Sequence, residues 1–283
     1  RERELRSLRE AFEKMLNGQL QLVSIMGEAG IGKSRLTYEF ERGLRQEGYL
    51  QLRQRADADA QSAQETSAEF ISGGSRLLYL KGRSLPYGQL NTYWVIGEIV
   101  RRYLGVEESS DESEVRNRLE LAVPSDLAPL IARFLALNYP DERLSQLTAE
   151  QLKREAHAAL ATLLRQQSER RPVMLVFEDV HWIDPSSLDV IRDLITQLQG
   201  MRVLIVVMSR PEFTNLKDIV AEHSVLSLSA LTSAERRALI EGLLAIADFP
   251  ETIKEHIAVK SGGNPFYVEE IIKSFIDAGL LVR

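Results

Sequence analysis

The residues best suited to chemistry are Gly27-Glu28-Ala29-Gly30-Ile31-Gly32-Lys33-Ser34. They fit the spacing G-x-x-x-x-G-K-[ST], a loop that cradles phosphates. Its glycines let the backbone curl until successive N–H groups converge on one anion. A helix opening at the lysine adds unpaired N–H groups and the positive end of its dipole. Lys33 would reach the β- and γ-phosphates of a nucleotide, and the Ser34 hydroxyl would ligate Mg²⁺. Arg35 follows directly and completes the expected phosphate-binding set of residues 27–35.

Phosphate binding alone does not break a phosphoanhydride bond. Hydrolysis also needs a carboxylate near Mg²⁺ and a group that orients water. Glu178 and Asp179 follow Val173-Met174-Leu175-Val176-Phe177, an apolar run suited to a strand buried on both faces. They fall where such a strand reaches its carboxyl end, the edge at which α/β sheets bind ligands. Adjacent carboxylates are costly to bury without a cation. Arg210 ends the next apolar run, Val203–Val207, and would reach the same edge, where it could touch the γ-phosphate. His181 has no nucleophile paired with it in the sequence, so a packing and hydrogen-bonding role is expected. Gly262-Gly263-Asn264-Pro265-Phe266 reads as a loop entering a helix, with proline in the first turn.

The elements that must hold these residues are legible in the pattern around them. Leu20–Met26 is a β-rich stretch before the loop, and Leu36, Phe40 and Leu44 mark the helix after it. Leu5, Leu8, Phe12 and Leu16 give an amphipathic helix ahead of the first strand. Arg76–Lys81 is expected as a second strand, Val173–Phe177 and Val203–Val207 as the third and fourth, and 224–228 as a shorter fifth. Asp184-Pro185 opens a helix with an N-cap acceptor followed by proline. Residues from about 53 to 74 lack apolar periodicity and are expected as a mobile loop or insertion. Residues 109–170 read as a helical insert at one edge of the sheet, and 232–279 as three further helices. Strands alternating with helices predict a doubly wound α/β core over 1–228, followed by a helical subdomain over 229–283.

Composition narrows the function classes. A formal net charge of −6 over 283 residues lacks the basic footprint of non-specific nucleic-acid binding. There is no cysteine, and the four histidines lack the paired spacing of a zinc site. No apolar run has the length that spans a bilayer, so the expected compartment is cytoplasmic. The chain lacks an initiator methionine and stops in Leu280-Leu281-Val282-Arg283, which reads as a piece of something longer.

Taken together, these pieces resemble the signal-transduction ATPases with numerous domains, an AAA-like class. Within it they are similar to the modules attached to class III adenylyl cyclases and large transcription regulators. The resemblance rests on GEAGIGKS at 27–34, GRSLPYGQLNTYW at 82–94, VFEDVHWIDPSSLDV at 176–190, SRPE at 209–212 and SGGNPFYVEEII at 261–272. It implies a P-loop NTPase with a five-stranded parallel sheet, binding ATP or ADP with Mg²⁺. It implies that Glu178 is the metal-binding acid and Asp179 the one that polarises water. Arg210 becomes the arginine after the sensor strand, and Pro265, with Gly263, packs near adenine. Arg1-Glu2 matches the segment that often lies beside the base, and Leu280-Leu281-Val282 the start of a winged-helix element. Implied partners are sensor and output domains of a parent chain, with nucleotide-dependent self-association. Slow hydrolysis is the expectation; the alternatives are a non-catalytic nucleotide-held interaction module and an origin-recognition-type DNA-binding ATPase.

Overall fold

The computed structural model describes residues 1–50, 76–86, 91–213, 223–244 and 251–277. Among them are five parallel strands: β1 (Gln21–Met26), β2 (Leu78–Arg83), β3 (Val173–Glu178), β4 (Val203–Ser209) and β5 (His223–Ser227). Their order in the sheet is β2-β3-β4-β1-β5. The central strands carry apolar residues at every position or nearly so because both faces are covered. Alternate residues divide between the faces. Val173, Leu175 and Phe177 enter one core cluster, and Met174 and Val176 the other.

One face is packed by α1 (Glu2–Leu16) and α2 (Lys33–Gln46), through Leu8, Phe12, Leu36, Phe40 and Leu44. On the other lie α3 (Trp94–Leu104), α4 (Glu112–Ala122), α5 (Ala128–Ala132), α6 (Glu142–Ser145), α7 (Ala149–Arg170) and α8 (Pro185–Gln197). The helices that follow β1 and β3 thus sit on opposite faces, which opens a crevice at the carboxyl ends of the strands. Asp184 caps α8, accepting from Ser187 N at 2.9 Å and also from Tyr93 N at 3.1 Å. That second bond ties the start of α3 to the turn that follows the acidic pair.

The remaining helices, α9 (Ser233–Leu244), α10 (Glu251–Lys260) and α11 (Pro265–Asp277), pack chiefly on one another. Ile240, Ile257, Val268 and Ile272 form a small core of their own. No described helix is long and apolar enough to cross a membrane.

Three sequence expectations need correction. The second strand runs over 78–83 rather than 76–81, because Leu77 N bonds Tyr49 O at 3.1 Å while Gly82 and Arg83 pair with Phe177 and Glu178. The insert at 109–170 is not helical throughout: α5 gives way to a 3-10 turn at Arg133–Leu135, ended by the left-handed Ala136. The 109–170 helices do not hang from an edge. Leu119, Ile131 and Leu163 share a core with Leu78, Leu80 and Phe177, so the insert thickens one face. The expected loop at 53–74 and the expected winged-helix start at 280–282 lie outside the described residues.

Candidate functional site

The phosphate loop begins where β1 stops. Gly27 N donates to Ser209 O at 3.2 Å, fastening the loop to the end of β4. The chain then turns through Gly30 at φ +75° and Gly32 at φ +101°, left-handed values that favour glycine. Gly32 is the residue before α2, so Lys33, Ser34 and Arg35 supply the first-turn N–H groups that have no partner inside the helix. Lys33 is buried, and its Nζ bonds Gly27 O at 2.6 Å and Glu28 O at 3.0 Å. Burial lowers the pKa of this ammonium; Asp179 opposes that effect and Arg210 adds to it. Residues from three separate chain segments, the loop, the turn at Asp179 and the end of β4, therefore set the charge balance at Lys33.

The acidic pair is split. Glu178 continues the alternation of Met174 and Val176 and belongs to the face of α2, where its Oε1 lies 2.9 Å from Lys81 Nζ. Asp179 adopts φ +54°, leaves the strand, and opens the 3-10 turn Val180–Trp182. Its Oδ2 accepts from Arg83 Nε at 2.9 Å. Two cations from β2 thus each hold one member of the pair.

His181 and Trp182 follow in the turn, their rings 5.2 Å apart. The Arg210 guanidinium sits 5.8 Å from the centre of the Trp182 ring, within cation–π range. Burial pushes the His181 imidazole below its usual range. Asp179 pulls the other way, while Arg210 and Lys33 reinforce the depression. The histidine lines the cavity described next.

A cavity of about 860 Å³ brings the segments together. Its polar wall contains Lys33, Ser34, Arg83, Asp179, His181 and Arg210. Its apolar wall comes from Leu5 of α1, Leu231, Leu239 of α9, and Pro265 and Phe266 of α11. Of the residues singled out in the sequence, Ala29 to Arg35, Asp179, Arg210 and Pro265 line it, as does Arg1. Gly27, Glu28 and Glu178 are not on the lining. Arg1 bridges the parts, donating to Ser229 O at 2.7 Å and to Ile31 O at 3.4 Å.

Four residues that sequence reasoning did not single out belong to the site: Arg83, Trp182, Asn264 and Phe266. Asn264 Nδ2 donates to Ala29 O at 2.9 Å, and Phe266 N lies 3.3 Å from Gly30 O. The motif runs at 82–94, 176–190 and 261–272 contained these residues, but nothing local marked them as partners of Asp179, Arg210 and the loop.

The site suits a polyphosphate with a hydrated cation. Ser84 Oγ, His181 Nδ1 and Ser209 Oγ are buried near the carboxyl ends of β2, β3 and β4 without a hydrogen bond from the protein. Buried polar groups are ordinarily partnered, so such a collection fits water or a polar ligand. Among the described residues no three His, Asp or Glu cluster as a metal cage.

A parallel sheet ordered β2-β3-β4-β1-β5, with a glycine loop leading from β1 into α2, defines a nucleotide-binding P-loop fold. The chain belongs to the AAA ATPase domain family, which residues 1–207 match. It is 29% identical over 278 residues to an uncharacterized protein, R02095, of Rhizobium meliloti (strain 1021), spanning 96% of this chain but 24% of that protein. Among solved structures it is similar to Cdc6p of Pyrobaculum aerophilum, with a TM-score of 0.53, 14% identity, and coverage of 99% of this chain and 62% of that one. A chain of Drosophila ORC, solved bound to DNA, gives a TM-score of 0.53 at 12% identity, covering 99% of this chain and 57% of that one. At these identities the likeness is one of fold.

Proposed function

We propose that the chain is a Mg²⁺-dependent ATP-binding module that hydrolyses ATP slowly and acts as a switch within a larger signalling or regulatory protein. One observation carries the reading: the phosphate loop, Asp179 and Arg210 line a single cavity whose other wall is α1 and the C-terminal helices. Its volume lies within the range of small-molecule and cofactor sites. The short span relative to the Rhizobium protein supports a multidomain parent.

In this reading the loop N–H groups and Lys33 bind the triphosphate. Ser34 and an acid of the 178–179 pair would hold Mg²⁺, which would supply charge neutralisation at the β- and γ-phosphates. Asp179, on the cavity wall, orients the attacking water, and Arg83 fixes that carboxylate through Oδ2. Arg210 contributes positive charge at the γ-phosphate, held in place by the Trp182 ring. Pro265 and Leu239 cover the base. Titration with labelled Mg·ATP should give tight, saturable binding that Lys33→Ala removes. Parent protein that binds no nucleotide would overturn the reading.

One observation favours the alternative, a nucleotide-held module without turnover. Both carboxylates of the pair are already matched with cations, Glu178 with Lys81 and Asp179 with Arg83. Tight binding with no phosphate release on any useful timescale would select that alternative.

A further inference from the structure

Asn264 makes two hydrogen bonds of different character. Its Oδ1 accepts from Phe266 N at 3.0 Å, the side-chain bond expected at the residue before a helix. Its Nδ2 donates to Ala29 O at 2.9 Å, in the phosphate loop and 235 residues away. Phe266 N also approaches Gly30 O at 3.3 Å, so two successive loop carbonyls face the start of α11. The approach is close. A Cβ on Gly30 would lie 2.7 Å from Phe266 Cβ and 2.9 Å from Asn264 Oδ1.

The consequence follows from peptide geometry. A planar trans peptide points its C=O and the next N–H in opposite directions. Holding Ala29 O from the α11 side therefore fixes the direction of Gly30 N–H, one of the donors with which a glycine loop cradles phosphate. Asn264 is not on the cavity lining, whereas Ala29, Gly30 and Phe266 are. It grips the loop without occupying the ligand's space. The helices it belongs to carry their own core and pack chiefly on one another, so they form a unit whose docking can change as one piece.

We propose that Asn264 is a positioning residue for the phosphate loop, through which docking of α9–α11 and nucleotide affinity are coupled. The coupling rests on the nucleotide reading given above. It is reciprocal by thermodynamic necessity: whatever docking adds to nucleotide affinity, nucleotide adds to docking. The amide of Asn264 is the specific contact that carries it, because the same side chain's oxygen serves only to cap α11.

Asn264→Ser separates the two roles. It keeps an oxygen able to cap α11, since serine is as good a cap as asparagine, and loses the donor that reaches Ala29. In the full chain this variant should melt at the parent's temperature without ligand. It should bind Mg·ATP roughly three- to tenfold more weakly, the effect of one net hydrogen bond. Nucleotide should also slow amide exchange across 265–277 in the parent and fail to do so in the variant. Should the serine variant melt early, Asn264→Thr repeats the test with a second capping residue. Parent-like affinity and protection in a variant that melts normally would overturn the coupling alone. Failure of the parent to bind Mg·ATP would instead remove the nucleotide reading, and the coupling with it.

Discussion

Asp179 acts on the charge of both Lys33 and His181, and Lys33 on that of His181, which makes their substitution informative. Lys33 is a buried cation whose Nζ donates to two loop carbonyls, so its replacement removes both the charge and the donor those carbonyls use. Lys33→Ala should weaken Mg·ATP binding on the order of a hundredfold or more, as for other buried charge partners. Asp179→Asn keeps the shape and an acceptor for Arg83 but weakens the ability to draw a proton from water. It should retain binding and lower turnover by about 10²–10⁴-fold, the usual contribution of a positioned base. Equilibrium titration beside single-turnover hydrolysis checks both. Turnover in Asp179→Asn equal to the parent's would remove the water-orienting role. His181 carries a pH signature. Its folded pKa lies below the ordinary value near 6.5, so an unfolded chain takes up a proton that the folded chain resists. The stability this group allows is present above about pH 6.5 and is lost as pH falls through the depressed folded value. His181→Gln should flatten that stretch of the melting temperature against pH; parallel profiles for the two proteins would contradict the assignment.

Among the elements, the strands with contiguous apolar runs and the helix after the loop were readable because their signals are local. Val173–Phe177 announces a doubly covered strand, and Asp184-Pro185 announces α8. What stayed hidden depends on contacts between distant segments. Arg83 and Asp179 are 96 residues apart, and Asn264 and Ala29 are 235 apart, so no window of sequence contains either pair. Glu178 and Asp179 fail in the opposite sense. Adjacent in sequence, they read as one unit, yet the strand's alternation carries Glu178 to the α2 face beside Lys81 while a left-handed turn carries Asp179 to the cavity wall. The Gly262–Phe266 run looked like a helix start and is one, but its first turn also abuts the phosphate loop. Gly30→Ala tests that junction from the loop side. A left-handed φ and a Cβ crowding Phe266 should cost about 1–3 kcal/mol, measurable by denaturant unfolding. An unchanged midpoint would mean that the junction yields without strain.

For the molecule as a whole, the fold divides labour between a rigid sheet and a smaller helical unit with the cavity between them. The sheet presents the phosphate loop, the acidic turn and Arg210 at one edge, each on the end of a strand that is buried on both sides. Among the described residues, Ile240, Ile257, Val268 and Ile272 form the core of α9–α11, which reach the loop through polar contacts. In the switch reading proposed above, ligand occupancy would bias the docking of the smaller unit, as in switch proteins when γ-phosphate contacts are made and released. Ligand at a hundred times its dissociation constant should therefore add about 2.7 kcal/mol to stability by mass action. That gain should be absent in Lys33→Ala. The central claim is most directly tested by phosphate release from Mg·ATP by the parent and Lys33→Ala, with bound nucleotide quantified in both. Slow release by the parent that disappears in the variant is the predicted result. No release from parent protein that holds ATP tightly would contradict the ATPase switch and leave a binding module.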